Sequence, residues 1–129
     1  MIPALLRKFH EAKKNNDPTV SVWGTGKPMR EFLHVDDLGE ACVFLMEKFD
    51  EPGFVNVGTG VDLTIEDLAK LISKVVGYKG RIEFDVTKPD GTPRKLLDVT
   101  KIRKLGWTHK IALEEGLRMV YKDTGVLIN

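Results

Sequence analysis

The sequence lacks several features that would identify a particular class of protein. It contains a single cysteine, Cys42, so no disulfide can form within the chain, and we expect a reducing, cytoplasmic compartment. Lys and Arg number 20 against 19 Asp and Glu, which leaves no basic excess for binding nucleic acid or an anionic membrane. No apolar run approaches the roughly 20 residues of a membrane span. We therefore expect neither nucleic acid nor a membrane as a partner.

Catalytic and metal-binding patterns are also sparse. The three histidines, His10, His34 and His109, fall on different predicted elements without the pairing of a metal site, so no metal is expected. The chain contains no Tyr-x-x-x-Lys sequence, because Ile82 and Gly125 stand where the two lysines would be. Residue chemistry alone therefore predicts no catalytic constellation.

Two glycine pairs look like phosphate-binding loops but have the wrong spacing. A Walker A loop has a glycine, four further residues and then Gly-Lys-Ser/Thr, whereas around Gly26-Lys27 the first glycine is replaced by Ser21 and the Ser/Thr by Pro28. The dinucleotide pattern Gly-x-Gly-x-x-Gly also fails, since Met29 and Leu63 replace the third glycine of the two pairs. We interpret both pairs as tight turns and predict no cofactor-binding residue in this chain.

The hydrophobic pattern predicts a mixed α/β fold with short strands and several helices. Helices are expected over residues 2–13, from Asp36 or Asp37 to about 49, and over 65–76, 100–105 and 111–123, with strands over 19–23, 31–35, 54–57 and 81–86. Thr64 and Asp67 are predicted to form a capping box. Asp36 and Asp37 precede an apolar helical run that includes Cys42, so we interpret them as helix caps rather than acid and base groups.

A group of basic residues around the loops is the best candidate for a binding surface. Arg30 follows the GTGKP loop, and Arg94 and Lys95 end a Pro- and Gly-rich loop over 87–95, from which their side chains can reach the same anion. Trp23 lies directly before the glycine turn and offers a flat face to a sugar or a base. Solvated surface charge and a tryptophan in the core also explain these residues, and the pattern alone leaves both interpretations open.

Three stretches of the chain resemble the GDP-L-fucose synthase family of the extended short-chain dehydrogenases. They are VWGTGKPMREFLHVDDLGEA (22–41), NVGTGVDLTIEDLAKLI (56–72) and KPDGTPRKLLDVTKIRKLGW (88–107). REFLHVDD alone indicates the wider group of nucleotide-sugar epimerases, whereas KPDGTPRKLLDV together with VVGYKG is typical of the fucose-synthase branch. The resemblance implies an NADPH-dependent enzyme with an N-terminal Rossmann domain and a smaller C-terminal substrate domain. Such an enzyme epimerises GDP-4-keto-6-deoxymannose and then reduces it to GDP-L-fucose.

The resemblance covers only the C-terminal part of such an enzyme. We therefore expect residues 1–129 to be its GDP-sugar-binding domain, lacking the N-terminal Rossmann domain. The family's cofactor loop and catalytic residues would all lie upstream of Met1, and neither His10 nor Cys42 is their equivalent. This chain alone is expected to bind no NADPH and to be inactive, with a Rossmann domain as its partner and any homodimer formed through that domain. A stand-alone nucleotide-sugar-binding or regulatory module is the alternative.

The resemblance also implies contacts to the substrate, residue by residue. A basic residue of the first helix, a Trp, an Arg and the Asp of the Pro-Asp-Gly-Thr-Pro-Arg loop correspond to Lys8, Trp23, Arg30 and Asp90, with Lys95 as a further phosphate partner. Some relatives carry Arg in place of Lys8, and lysine keeps that charge without the bidentate fork. In this interpretation the GTGKP turn presents Trp23 and Arg30 to the phosphates of a GDP-sugar, not to those of NADP.

Overall fold

In the computed structural model, which describes residues 1–124, two small β-sheets lie among α-helices. The elements are α1 (Ile2–Asn15), β1 (Thr19–Trp23), β2 (Met29–Glu31), α2 (Val35–Lys48), β3 (Asp62–Thr64), α3 (Ile65–Val76), β4 (Arg81–Asp85), β5 (Arg94–Lys95), α4 (Thr100–Leu105) and α5 (Leu113–Thr124). Strand β1 pairs in parallel with β4. The second sheet has the order β3-β2-β5, with β2 antiparallel to β3 and parallel to β5. The predicted mixed α/β class is confirmed.

The main hydrophobic core lies between α1, α3 and the β1–β4 sheet. Phe9 of α1 and Leu68 of α3 are completely buried there, because apolar residues recur at helical spacing on the facing sides of both helices. On β1 the side chains alternate, so Val20 and Val22 point into the core and Trp23 points out of it. This alternation sets the position of the candidate site at the end of β1.

Helix α3 begins and ends as predicted. The Thr64 hydroxyl accepts a hydrogen bond from the Asp67 backbone N–H at 3.0 Å and donates one to the Asp67 carboxylate at 2.7 Å. Gly77, with a φ of 75°, ends the helix in the left-handed conformation that glycine adopts without steric cost. Local capping signals were sufficient to define this element.

The strand predictions are less accurate. Strand β2 covers Met29–Glu31 instead of 31–35, the short β3 and β5 were not predicted, and residues 54–57 form no strand within the described part of the chain. Arg30, in the middle of β2, pairs with Leu63 on one side and Lys95 on the other. Strands of two or three residues are defined by such distant partners, so local alternation does not reveal them.

The cap of α2 differs from the prediction. His34 is the N-cap, and its Nδ1 accepts a hydrogen bond from the Asp36 N–H at 3.2 Å, so neither aspartate caps the helix. Asp37 is buried instead, and its two carboxylate oxygens accept hydrogen bonds from the backbone N–H groups of Lys110 and Ile111 at 3.1 Å and 2.9 Å. Asp37 therefore attaches the chain before α5 to the start of α2.

The buried face of α2 also differs from the prediction. Cys42, expected on the apolar and buried side, is exposed. Ala41 is completely buried and Phe44 is partly buried against a second, smaller core, whereas Val43 and Met46 are exposed. Apolar residues occupy much of the circumference of this helix, so periodicity alone does not decide which stripe turns inward.

Candidate functional site

The end of β1 brings Trp23 next to a lysine of α1. Trp23 keeps 66% of its surface exposed, so it is not a core residue. The Lys8 ammonium lies 5.5 Å from the centre of the indole ring, within cation–π range, and donates a hydrogen bond to the Ser21 carbonyl at 3.1 Å. A concavity of about 330 Å³ adjoins this pair, with apolar walls that include Val22 and Ile65. A flat ring and a cation beside an apolar recess suit a ligand with planar and anionic parts.

Asp90 is attached to the turn that follows Trp23. Its Oδ1 accepts a hydrogen bond from the Thr25 backbone N–H at 2.9 Å, and its Oδ2 accepts one from the Thr25 hydroxyl at 2.6 Å. The pKa of the Asp90 carboxyl is held below its usual value. The largest cause is the hydrogen bond from the Thr25 hydroxyl, followed by the one from the Thr25 N–H, and the nearby Lys27 charge contributes as well. Gly24 has a φ of 85°, and a Cβ there would collide with the Asp90 carboxylate. The loop after β4 is thus closed onto the glycine turn.

Arg30 and Lys95 meet on the same face of the second sheet. They are register partners on the parallel strands β2 and β5, and paired residues of adjacent strands point to the same side. The Arg30 Nη1 donates to the Met29 carbonyl at 2.7 Å, and its Nη2 lies 3.0 Å from the position a Cβ would take at Gly91. Because Gly91 follows Asp90, the same loop reaches both the glycine turn and the Arg30 guanidinium.

Arg94 has a different role from its neighbour Lys95. Its Nε and Nη2 donate to the two carboxylate oxygens of Asp62 at 2.6 Å and 3.1 Å. These hydrogen bonds are the main cause of a lowered Asp62 pKa and a raised Arg94 pKa. The interpretation that Arg94 and Lys95 reach the same anion is therefore wrong, since a carboxylate of this chain already binds the Arg94 guanidinium.

Side chains from other parts of the chain contact both glycine pairs. In the second pair, the Gly60 N–H donates to the Glu31 carboxylate at 2.6 Å, and a Cβ at Gly58 would meet the same carboxylate. In the first pair, a side chain on either glycine would collide with Asp90 or Phe84. Carboxylates of this chain therefore lie against one glycine of each pair, Asp90 against Gly24 and Glu31 against Gly58.

Three residues near the site were missed by the sequence reasoning. Glu31 accepts a further hydrogen bond from the Leu97 N–H at 3.0 Å and so ties β2 to the chain after β5. Thr25 binds Asp90, and the Lys88 ammonium lies 5.4 Å from the centre of the Trp23 ring. The available signals were weak: a threonine between two glycines, and one lysine in a loop already rich in charge.

Two other kinds of site are not found within residues 1–124. No group of three or more His, Cys, Asp or Glu side chains is placed to hold a metal ion. His10 lies 2.9 Å from the Tyr121 hydroxyl through its Nδ1, and His34 caps α2, so these two histidines have separate structural contacts. No helix in this part of the chain has the length and apolarity needed to cross a membrane.

The sequence is similar to a known protein family and to named members of it. Residues 1–58 match the NAD dependent epimerase/dehydratase family. The chain is 58% identical over 122 residues to the putative GDP-L-fucose synthase 2 of Arabidopsis thaliana. It is 58% identical over 131 residues to the GDP-L-fucose synthase of Escherichia coli K12. Each alignment covers 95% of this chain but only 37% and 41% of the two relatives, so the chain spans less than half of their length.

A solved structure has the same fold over part of its length. A GDP-mannoheptose C4 reductase from Campylobacter jejuni, with NADP bound, superimposes with a TM-score of 0.83 at 38% sequence identity. The superposition covers 94% of this chain and 43% of the reductase. The arrangement of helices and short strands described above therefore recurs within a larger chain.

Proposed function

We propose that the chain belongs to the NAD dependent epimerase/dehydratase family and that residues 1–129 form the GDP-sugar-binding domain of a GDP-L-fucose synthase. The complete enzyme epimerises GDP-4-keto-6-deoxymannose and reduces it with NADPH to GDP-L-fucose. Two relatives at 58% identity that carry the GDP-L-fucose synthase name support this activity. The reductase solved with NADP bound supports the cofactor of the complete enzyme.

The observation that carries this proposal is a continuous series of contacts around the glycine turn after β1. Lys8 lies against Trp23, Asp90 is bonded to the turn, and Arg30 adjoins the residue after Asp90 with Lys95 as its register partner. Three cations can neutralise a diphosphate, and each charge-assisted hydrogen bond contributes about 1.5–3 kcal/mol. The exposed indole can stack on the sugar or the base.

Asp90 has two tasks in this proposal. Its oxygens already accept hydrogen bonds from Thr25, which hold the loop in place. Each carboxylate oxygen has a second lone pair, so Asp90 can also accept from a guanine edge or a ribose hydroxyl. Its lowered pKa keeps it ionised, and therefore an acceptor, at neutral pH.

We propose that this chain by itself neither binds NADPH nor performs the reaction. The side chains of Glu31, Asp90 and Phe84 lie against the two glycine pairs. The sequence contains no Tyr-x-x-x-Lys. The cofactor pocket and the proton donor would be supplied by a Rossmann domain in the complete protein. The alignments leave room for such a domain, because they cover 37% and 41% of the relatives.

The exposed side of α2 is the surface we propose for contact with that Rossmann domain. Val35, Leu38, Cys42 and Met46 lie at helical spacing on one face, and all four are exposed. Met46 keeps 86% of its surface accessible. A stripe of exposed apolar side chains at helical spacing is a candidate interaction surface. A homodimer would then form through the Rossmann domain.

A titration with GDP, with ADP as the matched control, tests the proposed ligand. Trp107 is buried and Trp23 is exposed, so a fluorescence change on binding should come from Trp23, and a Trp23→Phe variant should abolish it. We expect saturation by GDP near the millimolar range, about −4 kcal/mol, and weaker binding of ADP. The proposal fails if millimolar GDP gives no response or if ADP gives an equal one.

A further inference from the structure

Lys88 is held beside Trp23 although it belongs to the loop after β4. Its ammonium lies 5.4 Å from the centre of the indole ring, and that of Lys8 lies 5.5 Å from the same point. One lysine comes from α1 and the other from a distant part of the sequence. The fold thus brings two cations to one exposed aromatic ring.

Hydrogen bonds fix the loop on both sides of Lys88. Before it, the Asp85 carboxylate accepts from the Thr87 N–H at 3.1 Å and the Thr87 hydroxyl at 2.5 Å, and the Lys88 N–H donates to the Asp85 carbonyl at 3.2 Å. After it, Asp90 is bonded twice to Thr25. The backbone of Lys88 therefore lies between two attached points.

Among residues 1–124, neither Lys8 nor Lys88 has a carboxylate within ion-pair distance, although the Lys88 charge contributes to the lowered Asp85 pKa. The carboxylates on either side of Lys88 are engaged by Thr87 and Thr25, and each has a lowered pKa mainly because of the hydroxyl bond it accepts. Two ammonium groups that each lie within 5.5 Å of the centre of one exposed ring can both reach a ligand bound at that ring.

We propose that Lys88 is a further phosphate-binding residue of this site, and that Lys88 and Lys8 together bind the two phosphates of a nucleoside diphosphate. This inference rests on the proposed GDP-sugar function. It makes Thr25 a positioning residue, because the Thr25 hydroxyl binds Asp90 and so holds the loop that carries Lys88, without contacting the ligand. Thr25 thereby contributes to affinity through Lys88 as well as through Asp90.

The first test compares GDP and GMP binding by the wild-type chain and by Lys88→Met. Removing a cation that contacts the second phosphate should weaken GDP binding about fivefold or more and weaken GMP binding less, so the preference for GDP over GMP falls. Lys79→Met is the matched control, because Lys79 is an exposed lysine before β4, at the opposite end of the strand, and should leave GDP affinity unchanged.

The second test separates positioning from general structural damage. Thr25→Val keeps the shape and loses the hydroxyl, and it should weaken GDP binding by a factor similar to that of Lys88→Met, whereas Thr25→Ser should retain affinity. In the Lys88→Met background, Thr25→Val should cause a smaller further loss than it causes in the wild type, since the part of its effect that acts through Lys88 is already gone. An equal loss in both backgrounds would show that Thr25 does not act through Lys88.

The failure of this inference differs from the failure of the proposed function. If the wild-type chain binds GDP and Lys88→Met binds it equally well while Arg30→Ala does not, Lys88 has no part in the site and the GDP-binding function stands. If the wild-type chain does not bind GDP at all, the proposed function is wrong and the inference falls with it. Thermal unfolding of each variant shows whether a loss of binding comes from unfolding.

Discussion

Arg94 and Asp62 form a bidentate pair that spans the second sheet from β5 to β3. The Arg94 Nε and Nη2 lie 2.6 Å and 3.1 Å from the Asp62 carboxylate oxygens, and the Asp62 side chain is only 6% exposed. Lys95, the next residue, is the register partner of Arg30 on the opposite face. Two adjacent basic residues therefore have separate tasks, one structural and one at the candidate site.

We predict that Arg94→Ala lowers stability but leaves GDP affinity nearly unchanged. The pKa of Asp62 is lowered in the folded chain, so the stabilisation by the pair is complete above the ordinary value of 3.8 and is lost as the pH falls through the lowered value. Thermal unfolding at neutral pH should separate the variant from the wild type, and the gap should close in acid. A loss of GDP affinity as large as that of Arg30→Ala would contradict this separation of tasks.

Arg30→Ala should weaken GDP binding more than Lys27→Ala. Arg30 is partly buried beside the Asp90 loop and can donate parallel hydrogen bonds to a phosphate, whereas Lys27 is exposed at the tip of the turn. We expect a loss of about tenfold or more for Arg30 and one within about twofold for Lys27. Calorimetric titrations of both variants provide the comparison, and equal losses would mean that the loop faces the other way.

Asp37→Ala should destabilise the chain far more than Asp36→Ala. Removing the buried carboxylate leaves the N–H groups of Lys110 and Ile111 without acceptors, and each unsatisfied donor costs about 1–3 kcal/mol. Asp36 is exposed and contributes mainly to the charge at the helix N-terminus, worth about 0.3–1 kcal/mol. Denaturant unfolding of the two variants measures both values. A similar effect for each would show that Asp37 acts only as a helix-terminal charge.

The 129-residue chain should not oxidise NADPH in the presence of GDP-4-keto-6-deoxymannose. Hydride transfer needs a pocket that aligns the nicotinamide with the ketone and a donor for the new alkoxide, and binding without this alignment gives no rate gain. Loss of NADPH absorbance measures turnover, with the Escherichia coli enzyme as positive control. Turnover that disappears in Cys42→Ser or His10→Ala would overturn the assignment of this chain as a binding domain.

The sequence by itself determined the features that depend on neighbouring residues. The bounds of α3 follow from the Thr64 capping box and Gly77, and the bounds of β1 follow from the alternation along that strand, whereas the exposed position of Trp23 was left open. The mixed α/β class follows from the same local periodicities. These signals are reliable because capping and alternation act over three or four residues, a range that the sequence displays directly.

Only the tertiary structure decided the features that depend on distant partners. Asp37 was expected to cap its helix and instead binds the chain before α5, and Cys42 was expected to be buried and is exposed. The bond from Thr25 to Asp90 joins residues far apart in the sequence. A side chain can satisfy its hydrogen bonds locally or at a distance, and an apolar stripe can turn to either side, so the choice depends on which surface of the fold lies opposite.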